Sequence, residues 1–267
     1  MNLFQLNDPG SSFHQLLALQ HPQLFTPATE NGVSLSEKRA LSRDLPHGTT
    51  VLALRYQKGV VIAGDRRATE GYSISERRIE KVYKTDETSA IAIAGAAGPC
   101  LELTRLFQVE LEHYEKLEGV VLSMEGKANK LSQMIKANLP MAMQGLVVVP
   151  LFAGFDVTRK AGRIFKYDIA GGKYEETEYY AIGSGGKDAR GTMKKIFKKN
   201  MTRERAIWIG LEAIYDAAEA DVATGGPDLL RHIFPKVKVI SKEGVEDVSD
   251  EEIEGIYQEM ISQQEEG

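Results

Sequence analysis

Three side chains in this sequence could perform nucleophilic catalysis if the fold brought them together: Thr49, Asp65 and Lys81. A threonine hydroxyl is a poor nucleophile until a nearby base takes its proton. An α-amino group has a reference pKa of about 7.7–8.0, so near neutrality a useful fraction of it is unprotonated. A chain beginning at Thr49 would therefore carry nucleophile and base on one residue. A lysine ammonium beside them would lower both pKa values, and an aspartate would keep that lysine charged and oriented. The translated chain cannot run this chemistry, because Thr49 stands behind 48 residues. Taken singly, Asp65 reads as a turn residue at the Gly64 bend and Lys81 as an exposed strand charge. Their order along successive strands is what groups them with Thr49.

The elements that must position these residues are strands. Thr50, Leu52, Leu54 and Tyr56 alternate with Val51, Ala53 and Arg55, and a Gln57-Lys58-Gly59 turn leads into Gly59–Ala63, as in a hairpin. Thr49 opens the first strand, with Thr50 beside it mostly a β-former. Asp65 follows the second strand. Lys81–Thr85 and Ala90–Ala94 are the next two. After Gly98-Pro99, the spacing of Leu103, Phe107, Leu111 and Tyr114 predicts a helix to about Leu117. A second helix follows Ser123, with Ala128, Leu131, Ile135, Leu139 and Ala142 on one face, and Pro140 should kink or end it.

Val147–Val157, Arg163–Ile169 and Tyr179–Ile182 form a second set of strands, followed by helices over Lys187–Lys199 and Thr202–Ala220. Val237–Val239 and Val245–Val248 suggest a closing hairpin, and Ser249 to Glu252 is a capping box for a final polar helix. Strands and helices arrive in blocks instead of alternating one by one. Such an order favours α+β, with sheets packed together and helices in pairs outside. No repeat or linker divides residues 49–267, which read as one domain.

Bulk properties narrow the function. A net charge of −5 over 267 residues gives no footprint for nucleic acid or an anionic membrane. Cys100 is the sole cysteine, which excludes an intrachain disulfide and a thiolate metal cluster and suits a reducing compartment. No apolar run approaches the roughly 20 residues of a membrane helix. The first lysine or arginine is Lys38, so the N-terminus lacks the basic region of a secretory signal, and a cytoplasmic location is expected. Gly183 to Lys187 lacks the spacing of a phosphate loop, and His113 sits among glutamates on a solvated helix face. Neither a metal nor a cofactor is expected. The first 48 residues, rich in Gln, Ser, His and Pro, read by themselves as a disordered tail.

That reading changes with the blocks that follow. Gly48-Thr49-Thr50-Val51, the run from Val61 to Thr69 containing Gly64-Asp65-Arg66-Arg67, then Ile79-Glu80-Lys81-Val82-Tyr83 and Ile93-Ala94-Gly95 closely resemble the β-type subunit of the 20S proteasome. Glu110 to Gly119 and Ala223 to Leu229 extend the likeness and point to its bacterial, actinobacterial type. The resemblance covers most of residues 49–267. It implies an α+β fold, the four-layer αββα sandwich of N-terminal-nucleophile hydrolases. It also implies that residues 1–48 are a propeptide, removed autocatalytically at Gly48-Thr49 to leave a threonine endopeptidase. Glycine suits position 48 because, without a Cβ, it can take strained dihedrals beside a nucleophile.

Matched residue by residue, Thr49 is the nucleophile and its freed amine the proton acceptor, while Asp65 and Lys81 are the pair that tunes it. The backbone N–H of Gly95 matches the oxyanion donor, a group worth about 3 kcal/mol in comparable sites. Ser184 and Asp221 match residues that support the amine. Thr224 falls where many family members have serine, which keeps a hydroxyl but leaves its geometry open. Ala68, Ile79, Tyr83, Ile93, Ala97 and Leu101 match the pocket that selects the residue before the cut. None of the six is charged, so cleavage after apolar residues of unfolded proteins is expected. The implied partners are α-type subunits and other β subunits in stacked heptameric rings, a ring-shaped ATPase activator, and protein or peptide substrates, with no nucleic acid and no membrane.

Two alternatives stay open. The smaller bacterial ATP-dependent protease subunit usually has almost no propeptide and a different run after Gly-Asp, so Arg66-Arg67 and the long leader oppose it. A non-catalytic structural β subunit would have no chemical need for Thr49, Asp65, Lys81 and Gly95 together.

Overall fold

The computed structural model of the chain describes residues 48–70 and 73–265. The expectations for residues 1–47 lie outside the described residues. Twelve strands and six helices follow one another within this part of the chain. β1 (Thr50–Tyr56) and β2 (Gly59–Gly64) are the expected hairpin, joined by a turn at Gln57-Lys58. β3 (Ala68–Glu70) and β4 (Ser73–Glu76) pair as a small separate ribbon. β5 (Val82–Asp86) and β6 (Ser89–Gly95) precede the helix pair α1 (Ala97–Glu118) and α2 (Met124–Ala137). A four-residue turn of helix, α3 (Leu139–Ala142), leads to β7 (Val148–Asp156), β8 (Ala161–Tyr167), β9 (Lys173–Glu176) and β10 (Tyr179–Gly183). α4 (Gly186–Ile196), α5 (Arg203–Ala220), β11 (Lys236–Ser241), β12 (Gly244–Asp247) and α6 (Asp250–Glu265) complete the order.

Two five-stranded antiparallel sheets result, one ordered β10-β1-β2-β11-β12 and the other β5-β6-β7-β8-β9. Strand periodicity explains their stacking, since successive side chains point to opposite faces. On β1, Val51 and Ala53 face the second sheet, where they meet Ala90, Ala92 and Leu151. Leu52 and Leu54 point the other way, into a core with α4, α5 and α6. On β6, Ile91 and Ile93 turn instead toward α1 and α2, packing with Phe107, Leu131 and Phe152. The layers are therefore helix, sheet, sheet, helix: the α+β sandwich expected from the block order.

Differences from the sequence reading have local causes. α2 stops at Ala137, and Leu139 and Ala142 belong to the separate turn α3, with Pro140 in its first turn, where a missing N–H costs little. The last helix is not polar throughout: Ile253 and Tyr257 are buried and Met260 nearly so, at three- and four-residue spacing among charges. β9 carries Lys-Tyr-Glu-Glu at a sheet edge, and β4 is fully exposed, so neither shows the apolar alternation that announces a strand. No helix among the described residues is long and apolar enough to cross a membrane.

Candidate active site

β1 and β2 are neighbours, so the start of one lies beside the end of the other: Val51 is opposite Gly64. That register sets Thr49 and Thr50 against Asp65. The chain then passes through the β3–β4 ribbon and returns, with Lys81 just before β5. Asp65 is fully buried and Lys81 nearly so, and they form an ion pair with Lys81 Nζ 2.7 Å from Asp65 Oδ1. The same ammonium donates to the Gly48 carbonyl oxygen at 2.8 Å and to the Arg67 carbonyl at 2.5 Å, using all three of its protons.

A buried carboxylate is tolerable only when its oxygens are occupied. Asp65 Oδ1 accepts the Thr50 N–H at 2.8 Å as well as Lys81, while Oδ2 accepts the N–H groups of Arg67 and Gly225, both at 2.9 Å. The Asp65–Arg67 contact is a local turn of the kind aspartate makes with the N–H two residues on. Burial holds the Lys81 pKa below its ordinary value, against the pull of the adjacent Asp65 carboxylate.

Thr49 is buried, and its hydroxyl donates to the Gly48 carbonyl oxygen at 2.6 Å. Two donors thus converge on that oxygen, drawing electron density from the carbon of the Gly48–Thr49 peptide bond. The Thr49 carbonyl is held in turn by Ser184, through its N–H at 2.8 Å and its hydroxyl at 3.2 Å. Position 48 needs space: a Cβ there would stand 2.7 Å from the Ala223 carbonyl oxygen.

Thr224 donates to Asp221 Oδ2 at 2.6 Å, so its hydroxyl makes a good hydrogen bond. Burial pushes the Asp221 pKa upward, but the hydroxyls of Ser184 and Thr224, the Ala223 N–H and the Lys81 charge outweigh it and hold the carboxyl below its ordinary value. Gly95 ends β6 with φ +131°, and a Cβ there would overlap the Val147 carbonyl oxygen. Replacing Gly95 with alanine should therefore destabilise the fold by about 2–4 kcal/mol. Urea unfolding would register the loss, and a midpoint equal to the parent's would contradict it.

All six apolar positions, Ala68, Ile79, Tyr83, Ile93, Ala97 and Leu101, line one small pocket, together with Gly48, Thr49, Lys81 and Gly95. The sequence reading missed two further lining residues. Cys100 shares the helix face of Ala97 and Leu101, a spacing that could have revealed it. Its thiol is pushed up to about 12 by burial, so it is an unionised apolar surface. Glu80 is exposed at the rim, where its carbonyl accepts the Tyr83 hydroxyl at 2.5 Å. Burial raises the Tyr83 phenol to about 12, keeping it protonated.

Thr50, read from sequence mostly as a β-former, is also part of this site. Its hydroxyl lies 2.7 Å from that of Thr224 and accepts the Gly185 N–H at 3.0 Å. No local sequence signal marks these contacts, because Thr224 and Gly185 are far along the chain.

Comparison with known proteins agrees with this architecture. Residues 45–230 match the Proteasome family, described as "Proteasome subunit". A protein of Acidimicrobium ferrooxidans named "Proteasome subunit beta" is 53% identical over 254 residues, 95% of this chain and 90% of the relative. One of the same name from Acidothermus cellulolyticus is 51% identical over 261 residues, covering 96% of this chain and 88% of its own. Another, from Streptomyces griseus, is 50% identical over 254 residues, 95% and 89% of the two chains. Matched by the family model over residues 45–230 and by relatives about half identical over most of its length, the chain belongs to the proteasome subunit family.

Proposed function

We propose that the chain is a catalytic β-type subunit acting as a threonine endopeptidase, made as a precursor that cuts itself at Gly48-Thr49. The observation that carries this reading is the convergence of Thr49 Oγ1 and Lys81 Nζ on the Gly48 carbonyl oxygen, at 2.6 and 2.8 Å. In self-processing, Thr49 Oγ adds to the Gly48 carbonyl carbon and its proton passes to the departing Thr49 nitrogen. The acyl group thereby moves from nitrogen to oxygen. Water hydrolyses the resulting ester, releasing residues 1–48 as a carboxylate and leaving Thr49 with a free amine.

The mature cycle reuses the same groups. The Thr49 amine takes the hydroxyl proton as Oγ attacks a substrate carbonyl, and the Gly95 N–H stabilises the oxyanion. The protonated amine gives its proton to the leaving peptide nitrogen, and water then clears the ester. Lys81, kept charged by Asp65, lowers the pKa of hydroxyl and amine alike. Ser184, Asp221 and Thr224 orient the amine. The apolar walls of the pocket favour cleavage after Leu, Tyr or Phe. Its ring partners are α-type subunits and further copies of itself, with a ring-shaped ATPase feeding in unfolded protein.

Intact mass of the chain after assembly with α-type subunits, followed by a fluorogenic peptide panel, tests the reading. A chain starting at Thr49 that cuts after apolar residues fastest is expected. A chain still starting at Met1 would favour a structural subunit instead. Faster cutting after acidic or basic residues would sink the specificity.

A further inference from the structure

Thr50 places every hydrogen-bonding group it has on the proposed site. Its N–H donates to Asp65 Oδ1 at 2.8 Å, and its carbonyl accepts the Asp65 N–H at 3.0 Å. Its hydroxyl stands between the Gly185 N–H, at 3.0 Å, and the Thr224 hydroxyl, at 2.7 Å. Both threonines are fully buried. Proton counting fixes the direction of this string. A carboxylate can only accept, so Thr224 spends its one proton on Asp221 Oδ2, 2.6 Å away. The proton between the two threonines must then come from Thr50. Gly185 N–H donates to Thr50, Thr50 to Thr224 and Thr224 to Asp221, with no donor in the string left idle.

A second observation shows that the string is closely built. A Cβ on Gly185 would lie 2.6 Å from both hydroxyl oxygens and 3.0 Å from the Ala217 Cβ, so the chain passes directly against the pair. We infer that Thr50 is a positioning residue for catalysis: its hydroxyl fixes Thr224 and, through it, the Asp221 carboxylate, while its amide fixes Asp65. This rests on the proposed reading of Thr49 as nucleophile. Hydrogen bonds in series polarise one another, so Thr50 strengthens the bond that Thr224 gives to Asp221. The other groups facing Asp221 are the Ser184 hydroxyl, the Ala223 N–H and the Lys81 ammonium, joined in the mature chain by the Thr49 amine. Arg67 Nη1 braces the same loop through the Val222 and Thr224 carbonyls.

The test compares Thr50→Val, which keeps shape but removes the hydroxyl, with Thr50→Ser, which restores it, in assembled particles with α-type subunits. Hydrolysis of an apolar fluorogenic peptide is followed against pH. In Thr50→Val, kcat should fall roughly tenfold with KM little changed, because a buried donor and acceptor lose their partner. The acid limb of the profile should move to higher pH, since a weaker bond to a carboxylate lets it protonate more readily. Thr50→Ser should recover most of both losses. A merely structural hydroxyl would leave the acid limb where it is, and that result in Thr50→Val would overturn the inference. Should Thr50→Val fail to assemble, Thr50→Cys, of similar size and a weak donor, takes its place with the same two outcomes. Activity surviving in Thr49→Ala would instead sink the nucleophile reading itself, so the two failures are distinguishable.

Discussion

Replacing Thr49 with alanine should give a chain that folds and assembles, keeps its leader and cuts no peptide. The fold loses little because the Thr49 backbone does the anchoring: its carbonyl takes both Ser184 contacts, and the residue after it pairs with Gly183 on β10. Only the hydroxyl bond to the neighbouring Gly48 carbonyl disappears, a loss of about 1 kcal/mol. Chemistry loses the proposed nucleophile, and with that the rate should drop at least about a thousandfold. Intact mass and a fluorogenic peptide read the two effects separately. Residual leader cleavage in the purified variant would count against self-processing.

The second large effect is an asymmetry within the buried ion pair. Lys81→Met and Asp65→Ala should both abolish peptidase activity, yet they should differ in what they do to the fold. Without the Lys81 ammonium, Asp65 still accepts three backbone N–H groups, from Thr50, Arg67 and Gly225. Without the Asp65 carboxylate, those three donors lose their acceptor. The ammonium is left with only the Gly48 and Arg67 carbonyls. Stranding a buried charge costs about 3–5 kcal/mol. Asp65→Ala should therefore unfold at distinctly lower urea than Lys81→Met. Equal midpoints would show that losing the pair carries the cost and that the three backbone donors add little.

Much of this was legible in the sequence because the relevant signals are short-range. Alternation in Val51–Arg55 gave a two-faced strand, and the turn after it set Asp65 near Thr49. Four-residue spacing from Leu103 to Leu111 marked α1. The block order of strands and helices pointed to stacked sheets. What stayed hidden were contacts made across the fold. Thr50 meets Thr224 through a separation that no periodicity reports. Gly225 reaches Asp65 from a loop 160 residues further along the chain. β9 and the β3–β4 ribbon are held by neighbours more than by their own composition. Tyr257 was masked because glutamates surround it on the same helix.

One consequence follows from the place of β1 between β10 and β2. A chain terminus normally frays unless something ties it down. Here the residue that would become the terminus is held at its carbonyl by Ser184 and leads directly into an inner strand paired along both flanks. For the proposed cut at Gly48-Thr49, the Thr49 side is therefore already in place. Latency in the proposed precursor would then be chemical: a peptide nitrogen becomes an amine in a socket that already fits it.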